Sequence, residues 1–249
     1  MNMKYIRLSQ QFFHTQQSLS TFESCPLKFR KRYMEGLKWD NPDLESKEAV
    51  ERGSSFHLLA RRYFSGIDIG LNENARDYEI LKKWTDNLKH FFEMRTDTTY
   101  LPEYTLRTGM HGFRLEANFD LLIIRNGKIE IWDWKTQNNN QGEGIKNAGG
   151  KFEKSLQTCV YLYTLKEQAS VITGGSADYE AISMHYWQPD PPGVIVKICY
   201  NRQMHERFDI LLHQKMLNIE NFDWASFDKS LYARHCRYCE FNWYCNMLL

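Results

Sequence analysis

The run Ile129-Glu130-Ile131-Trp132-Asp133-Trp134-Lys135-Thr136, preceded by Arg125-Asn126-Gly127-Lys128, constrains this chain more than any other feature. Asn-Gly is the preferred loop of a two-residue β-hairpin, because both positions tolerate the positive φ that such a turn requires. With Asn126-Gly127 as the loop, Arg125 pairs with Lys128, and counting back sets Asp120 directly opposite Asp133. Directly opposite residues on antiparallel strands point to one face, and so do residues two apart on one strand. Asp120, Asp133 and Lys135 are therefore expected at one spot. Two carboxylates gathered in this way repel each other, and a divalent cation would offset the repulsion. Register is the condition, since a slip of one residue throws Asp120 to the other face. Glu130 falls on the face opposite Asp133 in a regular strand and is left out of the site.

The surrounding pattern predicts strands over 112–124 and 128–135. Leu121 to Ile124 is an apolar run without alternation, which predicts a strand covered on both faces. Ser20-Thr21-Phe22-Glu23 reads as a capping box opening a helix that runs to about Lys38. Further helices are expected over 45–64 (holding His57), 74–92, 151–168 and 202–219, and strands over 178–188 and 193–200 around Pro191-Pro192-Gly193. The 74–92 helix is amphipathic through Ile80, Leu81, Trp84, Leu88 and Phe91. Residues 137–150 form a polar, Gly-containing loop that reads equally as a substrate-covering loop and as a disordered surface excursion. The order predicts an α/β fold, a mixed β-sheet core flanked by helices, and not a regular βαβ repeat.

The chain has 249 residues, 42% of them hydrophobic, which is enough for a sizeable core. Its net charge of +1 gives no global attraction for nucleic acid, so any basic footprint is local. Lys4, Arg7 and Gln10 interrupt the N-terminal apolar residues, unlike a signal peptide. No run approaches the roughly 20 apolar residues of a membrane span. The expectation is a soluble, cytoplasmic protein with no membrane partner. Six cysteines in that compartment argue for a metal or redox role before disulfides. Cys236, Cys239 and Cys245 form C-x2-C-x5-C, and Cys25 is a candidate fourth ligand. Four thiolates suit zinc or an iron–sulfur cluster. Ligation by Cys25 and the tail would staple the chain ends together. Cys159 and Cys199 lie in apolar contexts and read as core residues. His57 alone reads as readily as a packed histidine, and Gln157 and Tyr161, four apart on one helix face, as hydrogen-bonded core groups. Lys28, Arg30, Lys31, Arg32, Arg61 and Arg62 suit phosphate contacts that do not read sequence, or a solvated helix face.

Taken together, Ser24-Cys25-Pro26-Leu27-Lys28-Phe29, Gly53-x3-His57, Asp120, Asp133-Trp134-Lys135-Thr136, Gln157-x3-Tyr161 and the cysteine tail resemble the RecB-like branch of the PD-(D/E)XK nuclease superfamily. More narrowly, they resemble its members with an iron–sulfur cluster, the AddB nuclease domain and the standalone CRISPR-adaptation nucleases. The resemblance spans about residues 18–245. It implies a restriction-endonuclease-like core over 45–219, with 18–40 and 220–249 forming an iron–sulfur subdomain within one nuclease domain. It also implies Mg²⁺ or Mn²⁺ held by His57, Asp120, Asp133 and the main-chain carbonyl of Trp134. Lys135 would sit beside the attacking water, with Gln157 and Tyr161 lining the site. Cys25, Cys236, Cys239 and Cys245 would hold a [4Fe-4S] cluster of structural role. The activity implied is a single-strand or end-directed DNA exonuclease in repair, recombination or CRISPR adaptation, working with protein partners of such a complex. The alternative is a non-catalytic iron–sulfur module that binds DNA or assembles partners. One departure stands out: the family usually has Gly three residues before the first Asp, where this chain has Ala117.

Overall fold

The computed structural model describes residues 11–37, 44–136, 150–236 and 239–247. Five strands form one sheet in the order β1-β2-β3-β4-β5: β1 Thr99–Met110, β2 Phe113–Arg125, β3 Lys128–Trp134, β4 Ile182–Pro189 and β5 Pro192–Cys199. The β3–β4 pair is parallel and the other three pairs are antiparallel, so the sheet is mixed. A parallel pair needs a crossover, and the segment between β3 and β4 carries helix α5, Leu156–Thr173. The remaining helices are α1 Gln16–Ser24, α2 Pro26–Phe29, α3 Leu44–Phe64, α4 Tyr78–Phe91, α6 Arg202–Glu220, α7 Ala233–Cys236 and α8 Asn242–Met247.

The Asn126-Gly127 turn forms as expected, with φ of 49° and 72°, and Arg125 pairs with Lys128. Pairing continues through Leu122 with Ile131 and Leu121 with Trp132. Alternate residues go to different cores. Leu122, Ile131 and Tyr186 join the larger core with α5 and α6, while Leu121, Trp132 and Trp187 join a smaller, aromatic core with α3 and α4. The unalternating run in β2 is thus explained by a sheet covered on both sides.

Several boundaries differ from the sequence expectation. The N-terminal capping box is Thr15 with Ser18, so the helix starts five residues earlier than a cap at Ser20 would place it. The helix it opens stops at Cys25, where Pro26 starts α2, followed by a π-helical turn over Arg30–Met34. Proline is favoured in a helix's first turn but cannot continue one. Strand β1 has no counterpart in the sequence expectation. Pro102 near its start obscures the alternation of Tyr104, Leu106, Thr108 and Met110, which carries the buried side of the strand. Cys199 is exposed, whereas Cys159 is buried as expected. Ile198 takes the inward position on β5, and alternation sends its neighbour outward. Among the described residues no helix is long and apolar enough to cross a membrane. Residues 137–149, most of the polar loop, lie outside the described residues.

The turn makes a direct prediction. Gly127→Ala forces a Cβ into the left-handed region and should cost about 1–2 kcal/mol, read by urea unfolding. A variant as stable as the wild type would show that this turn does not set the register.

Candidate active site

Continuing the β2–β3 pairing one step beyond Leu121 and Trp132 sets Asp120 opposite Asp133. On the other side of β2, Pro102 pairs with Leu121 and Tyr104 with Phe119, which sets Glu103 opposite Asp120. Asp133 in turn pairs with Tyr186 on β4. The sheet therefore carries Glu103, Asp120 and Asp133 in one row across three strands. Glu103 has φ of 49°, a conformation that costs a non-glycine residue on the order of 1 kcal/mol and concentrates at functional sites.

Helices bring the remaining groups from both layers. His57 on α3 places Nδ1 3.4 Å from Asp120 Oδ1 and 3.7 Å from Glu103 Oε1. Among the described residues, His57, Glu103 and Asp120 are the set of three metal-capable side chains whose donor atoms all lie within 4.8 Å of one another. Asp120 Oδ2 accepts the Trp134 main-chain N–H at 2.7 Å. Lys135 Nζ lies 2.6 Å from Asp133 Oδ2 and donates to Gln157 Oε1 at 2.9 Å. The Gln157 amide donates in turn to Asp133 Oδ1. Tyr161, one turn further along α5, packs against Phe119 with ring centroids 5.0 Å apart.

Residues next to the charged ones anchor the site. Phe56 lies beside Trp84 and Trp187, and Trp134 beside Phe64 and Trp187, in the aromatic core. His57, Asp133 and Lys135 thus hang from neighbours whose side chains are themselves packed. Ala117 is fully buried in the larger core and pairs with Leu106. Its methyl group is a core contact.

The electrostatics follow from the packing. Asp133 is only 2% exposed. Burial, then repulsion from Asp120, pushes its carboxyl up to about 7, against the pull of Lys135 and His57. At His57 burial works against the charged form, but the hydrogen bonds and charges of Asp120 and Glu103 outweigh it and raise the imidazole to about 10. Burial, then the two aspartates, holds the Tyr161 phenol proton well above its ordinary range.

The basic residues divide sharply. Arg61 is exposed and lines an open groove of about 490 Å³ with His57, Glu103 and Thr136. Arg62 lies over Gly70. Lys28 sits 2.7 Å from Glu240, Arg32 also pairs with Glu240, and Arg30 sits 2.7 Å from Glu35. Lys31 is buried with its ammonium 3.9 Å from the centre of the Tyr244 ring. Lys28, Lys31 and Arg32 therefore hold the C-terminal tail against α2 and the turn after it. Beside that contact, Cys25, Cys236, Cys239 and Cys245 line one cavity of about 240 Å³.

A family model described as the PD-(D/E)XK nuclease superfamily matches residues 14–246. The chain belongs to the PD-(D/E)XK nuclease superfamily. A crystal structure from Eubacterium rectale, provisionally described as an exonuclease, is 11% identical over 84% of this chain and 81% of its own, with a TM-score of 0.51. That likeness is one of fold. A second crystal structure, of SSO0001, is 14% identical over 94% of this chain and 85% of its own, with a TM-score of 0.40, and adds no argument. None of the curated proteins matches the chain. Members of the superfamily use divalent metals, and the row on this sheet offers donors of that kind.

Glu103 is the group that sequence reasoning missed. The signal available was the period-two pattern from Tyr104 to Met110, which marks a strand next to β2 and would have counted Glu103 opposite Asp120.

Asp133 gives a pH signature. A carboxyl with a raised folded pKa keeps its proton after the unfolded chain has lost it, so stability falls as pH rises between the two values. In chelator-treated protein the contribution of Asp133 to stability should fall as pH rises between 3.8 and about 7, against the gain from carboxyls held low elsewhere, such as Glu240. Asp133→Asn should flatten this part of the profile in urea unfolding. Identical slopes for the two proteins would contradict the buried, repelled carboxyl.

Proposed function

We propose that the chain is a divalent-metal-dependent deoxyribonuclease that hydrolyses phosphodiester bonds at the carboxylate row. The observation that carries this reading is the placement of His57 3.4 Å from Asp120, beside Asp133 and its Lys135 partner. Carboxylate oxygens and one imidazole suit Mg²⁺ or Mn²⁺. His57, Asp120, Asp133 and the Trp134 carbonyl would hold the cation, with Glu103 as an added acid. When bound, the cation supplies positive charge against the negative charge that builds on the phosphoryl oxygens during displacement.

The chain's own groups do the rest. Asp133 and Gln157 fix the Lys135 ammonium from two sides, so it meets the phosphate or the attacking water already oriented. Tyr161 keeps its proton and can donate a hydrogen bond to a phosphoryl oxygen. Arg61, exposed on the groove beside His57, offers a phosphate contact that does not depend on sequence. Lys28 and Arg32 are engaged by Glu240, which makes Arg61 better placed than either for this role.

We also propose a [4Fe-4S] cluster at Cys25, Cys236, Cys239 and Cys245. The thiols line a shared cavity of about 240 Å³, and the choice of a cluster over one zinc ion rests on the resemblance. Its role would be to staple the tail to Cys25, which the Glu240 ion pairs already approach. End-directed action on single strands, in repair, recombination or CRISPR adaptation, rests on the resemblance and is tested by the products from end-labelled single- and double-stranded DNA.

Purified protein should degrade DNA in Mn²⁺ or Mg²⁺ and stop in EDTA. Asp133→Ala and Lys135→Ala should reduce cleavage to background with an unchanged circular dichroism spectrum. Cleavage by both at the wild-type rate would remove the assignment. Freshly purified protein should be brown, with broad visible absorbance, and Cys25→Ser should lower soluble yield more than Cys159→Ser. Colourless protein holding stoichiometric zinc would overturn the cluster.

A further inference from the structure

Gly53 lies within α3, one turn before His57, at a position where helices favour almost any other residue. A Cβ built at Gly53 would fall 2.8 Å from Thr136 Oγ1 and 3.9 Å from Thr136 Cβ. The first distance is too short for any real contact, while the second is ordinary packing. Thr136 directly follows Lys135 at the end of β3. The helix that carries His57 therefore meets the strand end that carries Asp133 and Lys135 at Gly53 and Thr136 as well as where Phe64 stacks on Trp134, and the first of these contacts has no room for a methyl group.

We infer that the Gly53–Thr136 contact is the spacer that sets the distance from His57 to the aspartates. This rests on the proposed metal site, of which His57 is a ligand. The geometry leaves two ways to accept a side chain at position 53. Thr136 can turn its branched, stiff side chain away, or α3 can move off the strand end. Thr136 also lines the groove with His57 and Glu103, and Gly53 is itself buried, so the second route displaces His57 from Asp120. Gly53 and Thr136 are positioning residues: they touch no reacting atom and act through His57.

Gly53→Ala should improve the helix as a helix while weakening the cation site, so stability and affinity should move apart. Mn²⁺ affinity, read by electron paramagnetic resonance of free Mn²⁺ and by calorimetry, is expected to fall about ten- to a hundredfold, as for other residues that orient a metal ligand. Thr136→Ala alone removes Oγ1 and keeps Cβ, and its Mn²⁺ affinity is the reference for the double variant. The double variant Gly53→Ala/Thr136→Ala brings the two Cβ atoms to the ordinary 3.9 Å separation and should recover the affinity of Thr136→Ala. That recovery is what a merely destabilising substitution would not show, and it holds as the test even if Gly53→Ala alone folds poorly. Wild-type affinity in Gly53→Ala, or no recovery in the double variant, overturns the spacer. Wild-type protein that binds no Mn²⁺ overturns the proposed metal site and the spacer with it, so the two failures are distinct.

Discussion

Arg125 pairs with Lys128 across the Asn126-Gly127 turn, and the count from that pair places Asp120 and Asp133, two of the three carboxylates of the row, opposite each other. Five steps back on β2 reaches Asp120, and five steps on along β3 reaches Asp133. Side chains alternate with a period of two, so the same count sends Leu122 and Ile131 to the larger core and Leu121 and Trp132 to the aromatic one. A slipped register would cost both cores at once. The apolar pattern therefore holds the carboxylates together as firmly as it holds the sheet.

That arrangement carries an electrostatic cost which the neighbours only partly offset. Asp133 is buried beside Asp120, and Lys135 and Gln157 occupy its two oxygens. His57 stands against Asp120 and Glu103 and draws its charge from them. The site is thus rich in negative charge, with its ammonium and imidazole drawn from a strand end and a facing helix. A divalent cation is the natural complement of such a set. The helices matter because they come from opposite faces of the sheet: α3 brings His57 and α5 brings Gln157 and Tyr161 to the end of β3.

The local part of this design was legible in the sequence. A two-residue turn fixes a register, and a register fixes Asp120 against Asp133 without knowledge of the rest of the fold. Gln157 and Tyr161 share a helix face by spacing alone. Glu103 was hidden because Pro102 masks the start of β1 and because its backbone takes a conformation that no pattern announces. The basic run from Lys28 to Arg32 looked like a phosphate-binding face, but Glu35, Glu240 and Tyr244 engage it. Glu240 and Tyr244 lie at the far end of the chain, and composition carries no trace of them. Cys199 read as core from its apolar neighbours, although alternation on β5 turns it outward. Cys25 stood out beside the tail cysteines as a candidate fourth thiol, and the fold brings all four to one cavity.

Whether the row across β1, β2 and β3 holds a cation is decided by a crystal grown with Mn²⁺ and measured at the manganese absorption edge. An anomalous peak is expected in contact with His57, Asp120 and Asp133, close to Glu103 and off the Lys135 ammonium. A strong peak elsewhere on the molecule with none at the row, or no peak at saturating Mn²⁺, would contradict a cation site there.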